Sequence, residues 1–129
     1  MENTLFMVFM VAMAATLASL STADNGIATF YEKYTPSACY GGQDKGVWIA
    51  AASNQLWNGG AVCGKRFRVK CVEPSRNGVP HPCTGKDVVV TITDRCGDGC
   101  PSTLDLSKEA FATIANPVAG IINIEYYPA

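Results

Sequence analysis

The most reactive side chains in the sequence are six cysteines, Cys39, Cys63, Cys71, Cys83, Cys96 and Cys100. Thiolates either hold a metal or close disulfides, and spacing separates the two. No Cys-x-x-Cys pair occurs and His81 is the only histidine, so the donor set of a zinc site is missing and no metal or other cofactor is expected. An even count then reads as a disulfide set, for which fifteen pairings are open. His81 lies between Pro80 and Pro82 without a serine or cysteine partner motif, which reads as ordinary surface. Lys65, Arg66, Arg68 and Lys70 crowd one short stretch; they form either a solvated strand face or a contact for a receptor or an acidic pectin. Trp48 and Trp57 offer ring faces on which sugars stack, although the Asn58-Gly59-Gly60 turn beside Trp57 favours packing of that ring over the turn.

These side chains need a frame, and the sequence predicts one built mainly of short strands. Gly26 to Tyr31 reads as an opening strand and Val47 to Ala52 as a second apolar stretch. Arg66-Phe67-Arg68-Val69-Lys70-Cys71 alternates strictly, with Phe67, Val69 and Cys71 on one face and three cations on the other. Val88 to Thr93 is β-branched throughout and predicts a central strand ending at Asp94. Glu73 to Lys86 is a loop rich in turn residues. One short helix is expected, capped by Ser107, flanked by the apolar pair Leu106 and Phe111, and stopped before Asn116-Pro117. Gly120 to Tyr127 closes the chain with Ile122, Ile124 and Tyr126 on one face. Many short strands, one helix and frequent turns imply a small β-barrel.

The N-terminus predicts where that barrel works. Leu5 to Leu20 is an uncharged apolar run, too short for a comfortable membrane span, and Ser21-Thr22-Ala23 supplies the small residues of a cleavage site. Residues 1–23 are therefore expected to be a signal peptide and 24–129 one domain, exported to the extracellular space with no stable membrane insertion. The remaining 106 residues carry 10 basic and 10 acidic side chains. A neutral balance argues against nucleic acid and anionic membranes as partners and leaves uncharged polysaccharide or protein.

A set of ordered motifs narrows the reading further. Gly26-Ile-Ala-Thr-Phe-Tyr31, Ala38-Cys39-Tyr40-Gly41, Leu56-Trp57-Asn58-Gly59, Cys63-Gly64, Thr93-Asp94-x-Cys96, Leu104-Asp105-Leu106-Ser107, Ala110-Phe111 and Ala119-Gly120-Ile121, with all six cysteines, resemble plant secreted proteins built on an expansin-like, family-45-endoglucanase-like domain. Within that group the chain resembles the plant natriuretic peptides and blight-associated small proteins. The resemblance implies a six-stranded double-psi β-barrel in the apoplast, with disulfides Cys39–Cys63, Cys71–Cys83 and Cys96–Cys100. It implies a groove formed by Thr29, Tyr31, Asp94 and Asp105, and a signalling segment from Thr35 to Arg68 that includes Trp57, Lys65 and Arg66. Asp105 occupies the position of the general acid in the related endoglucanases, within Thr103-Leu104-Asp105 where they carry His-Phe-Asp. Glu32 is the nearest candidate base. Inverting hydrolysis needs two carboxyls about 6.5 to 9.5 Å apart, so Glu32 decides whether hydrolysis is feasible. Asp94 and Asp105 have structural alternatives as well: capping of loop amides for the first, a buried backbone-tied carboxylate for the second.

Two functions follow as expectations. The first is a monomeric, non-catalytic signal in water and solute homeostasis, acting through a cell-surface receptor. The second is a wall-polysaccharide-binding module or weak endoglucanase.

Overall fold

A computed structural model describes residues 22–129, so most of the expected signal peptide, residues 1–21, lies outside the described part. Six strands form a closed barrel: β1 (Asp24–Tyr31), β2 (Ile49–Ala52), β3 (Arg66–Val72), β4 (Asp87–Arg95), β5 (Leu104–Ser107) and β6 (Ile122–Pro128). Their order around the barrel is β1-β5-β2-β4-β3-β6. β1 with β5 and β2 with β4 are parallel pairs, and the remaining pairings are antiparallel. This is the double-psi barrel that the motifs imply.

Alternation sorts the side chains as the sequence predicts. Phe67 and Val69 of β3 point inward, as do Val88, Val90 and Ile92 of β4, and Ile122, Ile124 and Tyr126 of β6. Phe67 meets Tyr126 edge-on at 5.8 Å between ring centroids. The barrel interior continues into α2 (Lys108–Ile114), which packs on β1, β4 and β5 and brings Phe111 to 4.9 Å from Phe30. Ser107 caps α2, its hydroxyl accepting from the Ala110 N–H at 3.1 Å, and Leu106 and Phe111 are both fully buried in the same core.

Two elements differ from the sequence reading. Among the described residues there are two short α-helices rather than one, because Ser53 starts a single turn, α1 (Asn54–Trp57), that ends in left-handed backbone at Asn58. One turn is too short to produce a detectable apolar period. The second is β5, for which the residue pattern predicts no strand and Leu106 reads, with Phe111, as flanking the helix. Leu104 and Leu106 are strand residues, held by parallel pairing to β1 and antiparallel pairing to β2.

Disulfides join Cys39 to Cys63, Cys71 to Cys83 and Cys96 to Cys100. Among the described residues no helix is long and apolar enough to cross a membrane, and no His, Cys, Asp or Glu group could hold a metal.

Candidate functional site: a carboxylate-lined groove

Four adjacent strands place one row of outward side chains side by side. Thr29 of β1 is in register with Asp105 of β5, Asp105 with Ala51 of β2, and Ala51 with Asp94 of β4. Asp94 reaches this row because of an irregularity. Ala50 pairs with Ile92 but Ala51 pairs with Asp94, so Thr93 is an extra residue in β4. Without it Asp94 would share the inward face of Ile92; the bulge turns its carboxylate outward. Ala51, with only a methyl group and 2% exposed, forms the low floor between the two acids.

Asp105 lies half-buried at the centre. Its Oδ1 accepts from the Thr29 hydroxyl at 2.9 Å, and Thr29 is 2.8 Å from the Ser102 hydroxyl. Thr29 has one proton, so donating to Asp105 leaves it to accept from Ser102, a chain of three groups along the groove wall. Cys96 Sγ lies 3.9 Å from Asp105 Oδ2; an oxidised sulfur has no proton, so this is packing. Burial and the neighbouring Asp94 charge push the Asp105 carboxyl above its ordinary value of 3.8, against the opposing pull of the Thr29 hydrogen bond.

Asp94 has a structural task. Its Oδ1 accepts from the Ala38 N–H at 2.8 Å and the Arg95 N–H at 2.9 Å, which fastens the loop after β1 to the end of β4. The Cys39 N–H donates to the Thr93 carbonyl at 3.0 Å and strengthens the same junction.

Tyr31 completes this side of the groove. Its hydroxyl and that of Thr93 are buried and face each other, without reaching good hydrogen-bond geometry and with no other partner. Burial first, then the charges of Asp94 and Asp105, drive the Tyr31 phenol far above its ordinary value, although the Thr93 hydroxyl opposes the shift. Two buried hydroxyls left open beside a carboxyl are groups that want a polar partner.

Glu32 does not join this set. Its carboxylate pairs with Lys108 Nζ at 3.2 Å and its side chain is 64% exposed. Asp94, not Glu32, is the carboxylate whose charge acts on Asp105. Glu32 belongs instead to a cluster at the start of α2, where the Tyr34 hydroxyl donates to Glu109 and accepts from the Lys108 N–H at 3.1 Å. Burial and the bond to Glu109 push the Tyr34 phenol up to about 12.

The residues of the segment from Thr35 to Arg68 are spread over several elements. Thr35 lies exposed in the loop after β1, Trp57 is half-buried on α1 against the core, and Lys65 and Arg66 are exposed at the start of β3. Arg68 pairs with Asp87 at 3.4 Å. Lys65 and Arg66 border a shallow cleft of about 550 Å3 with Phe67 and Pro128. Trp48 is the more exposed indole, at 52%.

Sequence reasoning alone missed Ser102 and the outward turn at Thr93. Pro101-Ser102-Thr103 reads as a turn, and nothing in a run of β-branched residues marks where a bulge falls.

Known proteins share this architecture. The chain is 64% identical over 121 residues to an EG45-like domain containing protein of Arabidopsis thaliana, covering 94% of this chain and 96% of the relative. The chain belongs to the EG45-like domain proteins. A second member, from Citrus jambhiri, is 54% identical over 114 residues, covering 88% of this chain and 87% of the relative. The family model described as lytic transglycolase matches residues 49–126 of this EG45-like domain. A Clavibacter michiganensis expansin superposes with a TM-score of 0.65 at 28% identity over 84% of this chain. The EG45-like domain spans 50% of that expansin's length. A point mutant of the same expansin, with a TM-score of 0.62, was solved in complex with cellohexaose.

Proposed function

We propose that this EG45-like protein is exported by its first 23 residues, that residues 24–129 form an expansin-like barrel domain, and that it acts in the extracellular space without cleaving polysaccharide. The observation that carries the non-catalytic reading is the pairing of Glu32 with Lys108 at 3.2 Å, away from the carboxyl it would have to assist. Asp105, with its raised value, is suited to hold a proton. An inverting reaction also needs a free carboxylate base across the sugar, and Asp94 has one oxygen committed to two backbone amides. Purified protein is expected to release no reducing sugar from β-glucan; steady release abolished by Asp105→Ala would overturn the reading.

Its biological role, on this proposal, is that of a mobile signal in water and solute balance, recognised at the cell surface. Resemblance to the plant natriuretic peptides supports this role, as does the exposure of Thr35, Lys65 and Arg66, which flank the loop closed by Cys39–Cys63. Oxidised protein added to plant protoplasts is expected to change their volume through water uptake. No response at any dose, with the three disulfides verified, would remove the signalling role.

A second reading has its own support in the register that sets Thr29, Asp105 and Asp94 in one row over the low floor of Ala51. A glycan chain lying across Thr29, Tyr31, Asp94 and Asp105 would meet the half-buried carboxyls of Asp94 and Asp105. The cellohexaose complex of the related expansin favours the same ligand class. Retention on cellulose or xyloglucan, lost in Asp105→Ala, is the expected result; equal retention of wild type and variant would count against a groove-centred site.

A further inference from the structure

The cations of β3 take no part in the groove, and the strand order places them as far from it as the barrel allows. Around the closed barrel β3 is the third strand from β5 in either direction, so the outer face of β3 lies opposite Asp105. Inward burial of Phe67 and Val69 turns Arg66, Arg68 and Lys70 outward, at intervals of about 7 Å along the strand. Residues 24–129 carry equal numbers of acidic and basic side chains, yet the groove gathers carboxylates and the opposite face gathers cations. A neutral total therefore hides a separation of charge across the molecule.

Cross-strand neighbours decide which part of this row is open. Lys70 stands between Asp87 of β4 and Glu125 of β6, so its charge is matched. Arg68 pairs with Asp87 at 3.4 Å, an exposed contact of little strength, and its other neighbour is the half-buried Tyr127. Arg66 stands beside Thr91, which is uncharged, and Lys65 precedes it in the chain. Among the described residues neither Lys65 nor Arg66 forms an ion pair. The cleft of about 550 Å3 that they border is also lined by Phe67 and Pro128. Positive charge thus rises from the balanced Lys70 end to the open Lys65–Arg66 end, with the Tyr127 ring alongside. Guanidinium groups hold carboxylates through paired hydrogen bonds, and a tyrosine ring suits the apolar face of a pyranose. A strand face with evenly spaced cations fits a linear polymer, and the two preferences together fit sugar units that each carry a carboxylate.

We propose that the outer face of β3, from Lys65 to Arg68, docks a linear polyuronate, a sugar chain with a carboxylate on each unit, on the side of the barrel opposite the groove. This goes beyond the signalling and groove readings and needs neither. Oligogalacturonate titrated into isotopically labelled protein at low salt should shift the backbone amides of Arg66, Arg68 and Tyr127 and leave those of Thr29 and Asp105 in place. Binding should weaken as salt rises. The double variant Lys65→Gln, Arg66→Gln should bind about tenfold more weakly, the worth of two exposed charge contacts. Asp87→Asn, which releases Arg68 and removes an opposing charge, should bind more tightly, a gain that no purely structural role of Arg68 predicts. Fully methyl-esterified oligogalacturonate, its carboxylates capped, should not bind. Shifts at Thr29 and Asp105 instead, or equal binding by the double variant, would overturn the surface. Equal binding of the methyl ester would overturn charge as its basis, and tighter binding of polyglutamate would give the face to an acidic protein segment. No binding of oligogalacturonate at low salt would overturn the proposal outright.

Discussion

Asp105 and Tyr31 are polar groups that the fold partly removes from water, and their titration reports that cost. The Asp105 carboxyl is raised above 3.8 chiefly by burial and secondly by Asp94. For a raised acid, stability is fully present below the ordinary value and is lost as pH rises through the folded value. Asp105→Asn should therefore melt higher than wild type at neutral pH, with the gap closing below 3.8. Thermal unfolding followed across that pH range checks it; a constant gap would mean that titration is not its source. Tyr31→Phe removes a buried hydroxyl that has no partner, so stability should hold or rise by about 1 kcal/mol. The sequence could name Thr29, Tyr31, Asp94 and Asp105 through their motifs. It could not show that Asp94 caps the Ala38 and Arg95 amides or that Glu32 turns to Lys108, because both depend on where loops return in space.

Among the elements, β3, β4 and β6 were legible because each has enough residues for the period of two to stand out against its flanks. Helix α2 was legible through its cap, Ser107, and its stop at Asn116-Pro117. Strand β5 has four residues, Leu-Asp-Leu-Ser, a length at which strand and helix approach look alike. Its central place comes from tertiary pairing with β1 and β2 on either side. Leu104, fully buried in β5, makes this testable: Leu104→Ala should cost about 2 to 5 kcal/mol in denaturant unfolding. A loss under 1 kcal/mol would put β5 at the margin of the core. The bulge in β4 was equally invisible, since Thr93 and Asp94 differ from a regular continuation only in which neighbour they face.

At the scale of the whole molecule, three disulfides reinforce a barrel whose modest core is shared between short strands and one helix. Cys39–Cys63 spans 24 residues and closes the segment that carries Trp57. Replacing both cysteines by serine should lower stability by about 3 kcal/mol while leaving the barrel strands formed, measurable by urea unfolding with a near-native far-UV spectrum. The strand order adds a constraint of a different kind. β1, the first strand made, finds its neighbours only in β5 and β6, the last two. Most of the chain must be present before the ends of the barrel can meet, so the contacts that define the fold are long in sequence and slow to assemble. A ribosome-bound chain lacking β6 leaves β1 and β3 without one of their partners. Such a chain stays pliable until its synthesis is complete, and it locks into its final shape only after the last strand has arrived.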